Sequence, residues 1–95
     1  MRLSDIKKEL MEEAPWCVFC GSYKNLDMMH LIRRSYSPRL RDEKKNCALG
    51  CRDCHYIFDN MPWHWGSLGH FPSIVKRIKE LDEQYYYITF AGKGY

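Results

Sequence analysis

The sequence predicts a small α+β fold, a short β-hairpin and a helix gathered round a cysteine cluster and flanked by N- and C-terminal helices. Three observations carry this reading. Four of the five cysteines fall into two C-x-x-C pairs, Cys17/Cys20 and Cys51/Cys54, with 30 residues between them. Two short β-prone runs stand in or beside that gap, separated by a polar, basic stretch. Apolar residues recur at helical spacing near both ends of the chain. At 95 residues, 45% hydrophobic and 28% charged, the chain reads as one globular domain, not a disordered one. A core this small is commonly reinforced by an extra staple.

In chain order, residues 3–13 read as a helix. Leu3, Ile6, Leu10 and Met11 form its apolar face, Ser4 or Asp5 is available as a cap, and Ala14-Pro15 ends it. Residues 16–21 form a first knuckle, where Gly21 lets the chain turn so that backbone amides face the cysteine sulfurs. Residues 26–32 read as a strand carrying His30. Residues 33–45 are polar, basic and broken by Pro38, hence a loop. Residues 46–50 read as a second strand, and Cys51 to Asn60 opens a helix that Pro62 stops. The stretch 61–71, with Trp63, Trp65, His64 and His70, reads as an ordered loop with aromatic anchors. A third helix spans 72–84, with Ile74, Val75, Ile78 and Leu81 as its stripe. Residues 85–90 are β-prone, and a Gly-rich tail follows.

No apolar leader is visible, since the first thirteen residues are charged, and no run approaches the roughly 18 apolar residues of a membrane span. The expectation is a cytoplasmic protein with no membrane partner. In that setting paired C-x-x-C motifs read as metal ligands, not disulfides. Cys17, Cys20, Cys51 and Cys54 therefore make a four-thiolate site for a structural zinc, with sulfurs about 2.3 Å from the ion. A gap of 30 residues is longer than a simple ribbon needs and has room for a hairpin bearing His30 and Asn46. Knuckle, hairpin and a second knuckle that opens a helix together make a treble clef, its core at about residues 16–61. The fifth cysteine, Cys47, reads as a buried free thiol.

The net charge of +3 is too small to establish a nucleic-acid partner, but its distribution is uneven. From residue 30 to 52 there are seven basic side chains (Arg33, Arg34, Arg39, Arg41, Lys44, Lys45 and Arg52) against two acids, a local balance of +5. A basic loop beside a metal-binding hairpin is suited to phosphate contacts. The rival reading is a solvated basic surface.

The order of these residues resembles the HNH endonucleases of the ββα-metal group. Asn46-Cys-Ala-Leu-Gly-Cys51-Arg-Asp-Cys54-His55 is similar to that family's N-x4-C-x-x-C-H segment. Cys17-x-x-Cys20-Gly21 is similar to its upstream knuckle. Asp27-Met-Met-His30 and the later Arg-Asp-Glu-Lys-Lys-Asn46 also resemble the phage NinG-type recombination nucleases, so the origin expected is phage or mobile DNA. The likeness covers residues 17 to about 60 and implies a metal-dependent endonuclease acting on DNA. It implies His30 as general base, His55 as a ligand of a second, catalytic ion (Mg2+, Mn2+, Ni2+ or Zn2+), and Asn46 as a structural member of the site that orients His30. Asp27 and Asp59 are the further ligand candidates, Asp59 one turn beyond His55 on the same helix face.

The chemistry needs these residue types. Phosphodiester hydrolysis requires an activated water and a metal that neutralises the phosphate, and a neutral histidine can take the water's proton. Met29 is a departure, because the family often has Asp or His directly before the base. The alternative from another class is a non-catalytic treble-clef zinc module, or a degenerate nuclease, that binds nucleic acid or protein. A single small site nicks one strand, so the chain would act as a monomer or, for double-strand cutting, a homodimer.

Overall fold

Residues on either side of the basic loop pair into an antiparallel hairpin, strand β1 (Leu26–His30) against strand β2 (Cys47–Cys51). Leu26 lies opposite Cys51, Met28 opposite Leu49 and His30 opposite Cys47. Two backbone bonds lengthen this ladder: the Arg52 amide donates to the Asn25 carbonyl (2.9 Å) and the Leu31 amide to the Asn46 carbonyl (2.8 Å). The computed structural model describes residues 2–95. The remaining elements are helices α1 (Leu3–Glu13), α2 (Arg52–Asn60), α3 (Phe71–Leu81) and α4 (Glu83–Thr89), with 3-10 turns between them.

Helix α2 starts where it does because Cys51 caps it, its sulfur accepting from the Cys54 amide at 3.5 Å. Asp53 in the first turn suits the helix dipole. The helix lies against the hairpin and sends Phe58 into an aromatic core. There Phe19 of the first knuckle meets Phe58 at a centroid distance of 5.6 Å, and Trp65 meets Phe71 and Phe90 at 5.5 and 4.9 Å. These offset and tilted pairings are the favourable ones for aromatic rings. The knuckle is thus built into the core through its own Phe19, which is buried.

The structure departs from the sequence reading in four places. The C-terminal helix does not run from 72 to 84. It breaks at Asp82, which is extended, and the Asp82 carboxylate accepts from the Tyr85 amide (3.0 Å) to cap α4. The β-prone run 85–90 is therefore helical as far as Thr89. Tyr85 and Phe90 are both buried, Tyr85 edge-on to Tyr36 at 4.8 Å, so packing overrides local preference. The expected loop at 61–71 holds a 3-10 segment, Pro62–Ser67, whose Trp65 is core and donates its indole N–H to the Phe58 carbonyl at 3.0 Å. Helix α1 spans the expected 3–13, but neither Ser4 nor Asp5 caps it: Arg2 is the capping residue, no side chain caps the helix, and Asp5 lies within the first turn. The stripe Ile74, Val75 and Ile78 is buried in this chain's own core.

Candidate functional site

The first knuckle is closed by two backbone bonds. The Cys17 amide donates to the Ser22 carbonyl at 2.8 Å and the Gly21 amide to the Cys17 carbonyl at 2.9 Å. Gly21 has φ of 78°, a conformation that glycine adopts without strain. The turn aims the amides of Phe19 and Cys20 at the Cys17 sulfur, each at 3.4 Å. A further bond, Val18 amide to Leu49 carbonyl at 2.8 Å, docks the knuckle on β2 and so beside Cys51 and Cys54. The four sulfurs all lie within 4.8 Å of one another, with Cys20 and Cys51 3.7 Å apart. A tetrahedral ion with bonds of about 2.3 Å separates its sulfurs by about 3.8 Å. The residues thus fit a metal ion such as zinc. Burial opposes ionisation of Cys17, but the backbone amides of Cys20, Cys51 and Phe19 outweigh it and hold this thiol down at about 7. Burial, and then the neighbouring sulfurs, push Cys54 up. Cys17 ionises readily while Cys20 and Cys54 are opposed, an electrostatic arrangement that a divalent cation relieves. Cys47 stands apart from the quartet, buried, with its thiol directed to the Glu43 carbonyl at 3.4 Å.

His30 ends β1, and its Nε2 lies 2.9 Å from the carbonyl oxygen of Arg41. A carbonyl can only accept, so Nε2 carries a hydrogen, and in the neutral ring the lone pair is then on Nδ1. Arg41 is placed by Asn46. This side chain has no exposed surface; its Oδ1 accepts from the Ile32 amide (2.8 Å), and its Nδ2 donates to the carbonyls of Ile32 (3.1 Å) and Leu40 (3.2 Å). Asn46 was expected to orient the histidine through its own amide. The structure routes that influence through the backbone at residues 40–41 instead.

His55 sits between two carboxylates. Its Nε2 is 2.9 Å from Asp59 Oδ2 and its Nδ1 3.4 Å from Asp27 Oδ2. The Asp59 hydrogen bond raises the imidazole's pKa above its ordinary value, against the effect of burial, and Asp27 adds to the rise. The three residues lie together but not round one point, because the two carboxylates face opposite edges of the ring. Among the described residues the four cysteines are the one group of three or more metal-binding side chains that converge. Met29 is 1% exposed, its thioether packed over Gly50.

His30, His55 and Asp59 line one open cleft of about 540 Å³, whose rim includes Arg33, Arg34 and Leu3. The Arg33 guanidinium is held there by the Asp59 carbonyl at 3.4 Å. The other basic residues are less uniform. Arg39 and Lys45 are exposed, Arg41 pairs with its neighbour Asp42 (3.2 Å), and Arg52 lies 4.0 Å from Asp27. Lys44 is not free for phosphate: Glu13 and Glu9 of α1 hold it. No family profile, curated protein or solved structure matches the chain.

Sequence reasoning missed two parts of this site. The Arg41 carbonyl has no signature, because every residue has a carbonyl. The Glu9/Glu13 pair did have one, two acids a turn apart on α1 that call for a basic partner.

Proposed function

We propose that the chain is a metal-dependent endonuclease of the HNH type, with a treble-clef ββα-metal core, that hydrolyses phosphodiester bonds in DNA. The observation that carries this reading is the hydrogen bond between His30 Nε2 and the Arg41 carbonyl, which in the neutral ring leaves Nδ1 as the basic nitrogen of a residue in the same cleft as His55 and Asp59. Nδ1 takes the proton of the attacking water. Asp27 accepts from His55 Nδ1–H, which fixes the ring and turns Nε2 toward Asp59. His55 Nε2 and Asp59 Oδ2, 2.9 Å apart, then offer two donors to a divalent ion such as Mg2+, Mn2+, Ni2+ or Zn2+. When bound, that ion supplies charge neutralisation at the scissile phosphate and the leaving oxygen. Arg33 and Arg34 on the cleft, with Arg39, Lys45 and Arg52 beyond it, contact the DNA backbone. The zinc on the four cysteines is structural.

A second reading is favoured by Met29 and by the closed Asp27–His55–Asp59 set. A buried thioether stands where a ligand is expected, and the His55 ring is already satisfied by carboxylates. On that reading the module binds nucleic acid or protein without cutting. Nicking of supercoiled plasmid by the zinc-loaded protein, with each divalent ion added, separates the two. The nuclease reading expects ion-dependent nicks that His30→Ala abolishes while zinc content and circular dichroism stay unchanged. No nicking by the wild type with any ion leaves the binding module as the function. Equal cutting by His30→Ala removes His30 as the base.

A further inference from the structure

We infer that Arg52 and Tyr56 form a subsite for an unpaired base next to the phosphate that lies over His55 and Asp59. Its place beside the scissile bond rests on the nuclease reading; the binding itself does not. The aromatic core is made by the phenylalanines, Trp65 and Tyr85, whereas Tyr56 is 58% exposed although it directly follows His55. Arg52, one helical turn before it on the same face, has a side chain 73% exposed. The two line a second hollow of about 170 Å³ together with Asp27, His55, Asp59 and Asn60. His55 and Asp59 belong to both hollows, so the two form one groove, with the arginine rim of Arg33 and Arg34 at one end and the Arg52/Tyr56 pair at the other.

A strand laid along this groove with a phosphate over His55 and Asp59 brings the next sugar and base to Tyr56, and the adjoining phosphate to Arg52. Stacking on an exposed aromatic ring needs a free base face, which an unpaired nucleotide has and a base inside a duplex lacks. The hollow is smaller than the roughly 300–1,000 Å³ of a typical small-molecule pocket, so it suits one planar ring. Tyr23 and Trp63 are also exposed, at 75% and 73%, but neither lines the groove.

The test is fluorescence of 2-aminopurine in a DNA oligonucleotide, single-stranded or in duplex, titrated with the zinc-loaded full chain without a second ion. Wild type and Tyr56→Phe should quench the single-stranded probe. Tyr56→Ala should lose the quench and bind the single strand on the order of tenfold more weakly, with duplex binding unchanged. Tyr23→Ala serves as the control and should match wild type. Single-strand binding by Tyr56→Ala equal to wild type overturns the inference, and so does an equal loss for single strand and duplex. Quenching that depends on Tyr56 in a protein that nicks no DNA leaves the subsite standing and removes the nuclease reading alone.

Discussion

Asn46 commits both polar atoms of its amide to backbone in a fully buried setting, and this defines what its loss would do. Asn46→Ala leaves the Ile32 amide and the carbonyls of Ile32 and Leu40 without their partner. With about 1–3 kcal/mol for each buried group left unsatisfied, and some relaxation, the expected loss is about 3 kcal/mol, read by urea denaturation of the zinc-loaded protein. The same variant should lose nicking before it loses zinc, because the freed 40–41 segment no longer holds His30. His55 gives a pH-dependent counterpart. Its pKa is raised in the folded state above the ordinary 6.5, chiefly by the Asp59 hydrogen bond. Its stabilising contribution is therefore full below 6.5 and fades as pH rises through the folded value. Denaturation of wild type and Asp59→Asn without a second ion should show a gap that is wider at pH 5.5 than at pH 9; a gap independent of pH would contradict the pairing. The residue scale was the most legible in sequence where spacing alone carried the information: the C-x-x-C pairs, and His55 with Asp59 one turn on. It was least legible where the partner is backbone, as at Arg41.

At the scale of elements, the turn after the 3-10 segment Pro62–Ser67 meets the first knuckle at close range. Gly69 packs so closely on the Phe19 carbonyl that a Cβ there has no room, whereas a Cβ at Gly66 would meet only the Tyr95 hydroxyl at an ordinary 3.8 Å. Gly69→Ala should destabilise the protein by about 1–3 kcal/mol and speed zinc transfer to a colorimetric chelator, since the knuckle must shift to make space. Gly66→Ala should be near neutral in both measurements. Some element boundaries were readable: Ala14-Pro15 after α1, and Cys51 and Pro62 around α2. The segment Tyr85–Thr89 was not, because three tyrosines, an isoleucine and a threonine favour a strand in isolation. Its helix depends on the Asp82 cap and on the burial of Tyr85, whose contact with Tyr36 comes from a distant part of the chain.

For the molecule as a whole, the hairpin has two strands of five residues, too little to stand alone in water. Phe19 lies within one knuckle and Phe58 four residues beyond the other, so the aromatic core and the cysteine cluster form together. Removing the ion with a strong chelator should therefore unfold the chain in one step, with loss of helical circular dichroism and its return when zinc is added back. Retention of the full helical signal in the stripped protein would show that the core suffices without it. The pairing of Leu26 with Cys51 and of His30 with Cys47 carries a consequence for assembly. If the hairpin zipped up one residue out of step, Cys51 would be drawn away from the other three sulfurs and the ion would have no closed cage. The same slip would carry His30 away from the Arg41 carbonyl. Capture of a metal ion by the four cysteines would thus proofread the zipping of the strands, and a chain that held one would already have put its histidine in place.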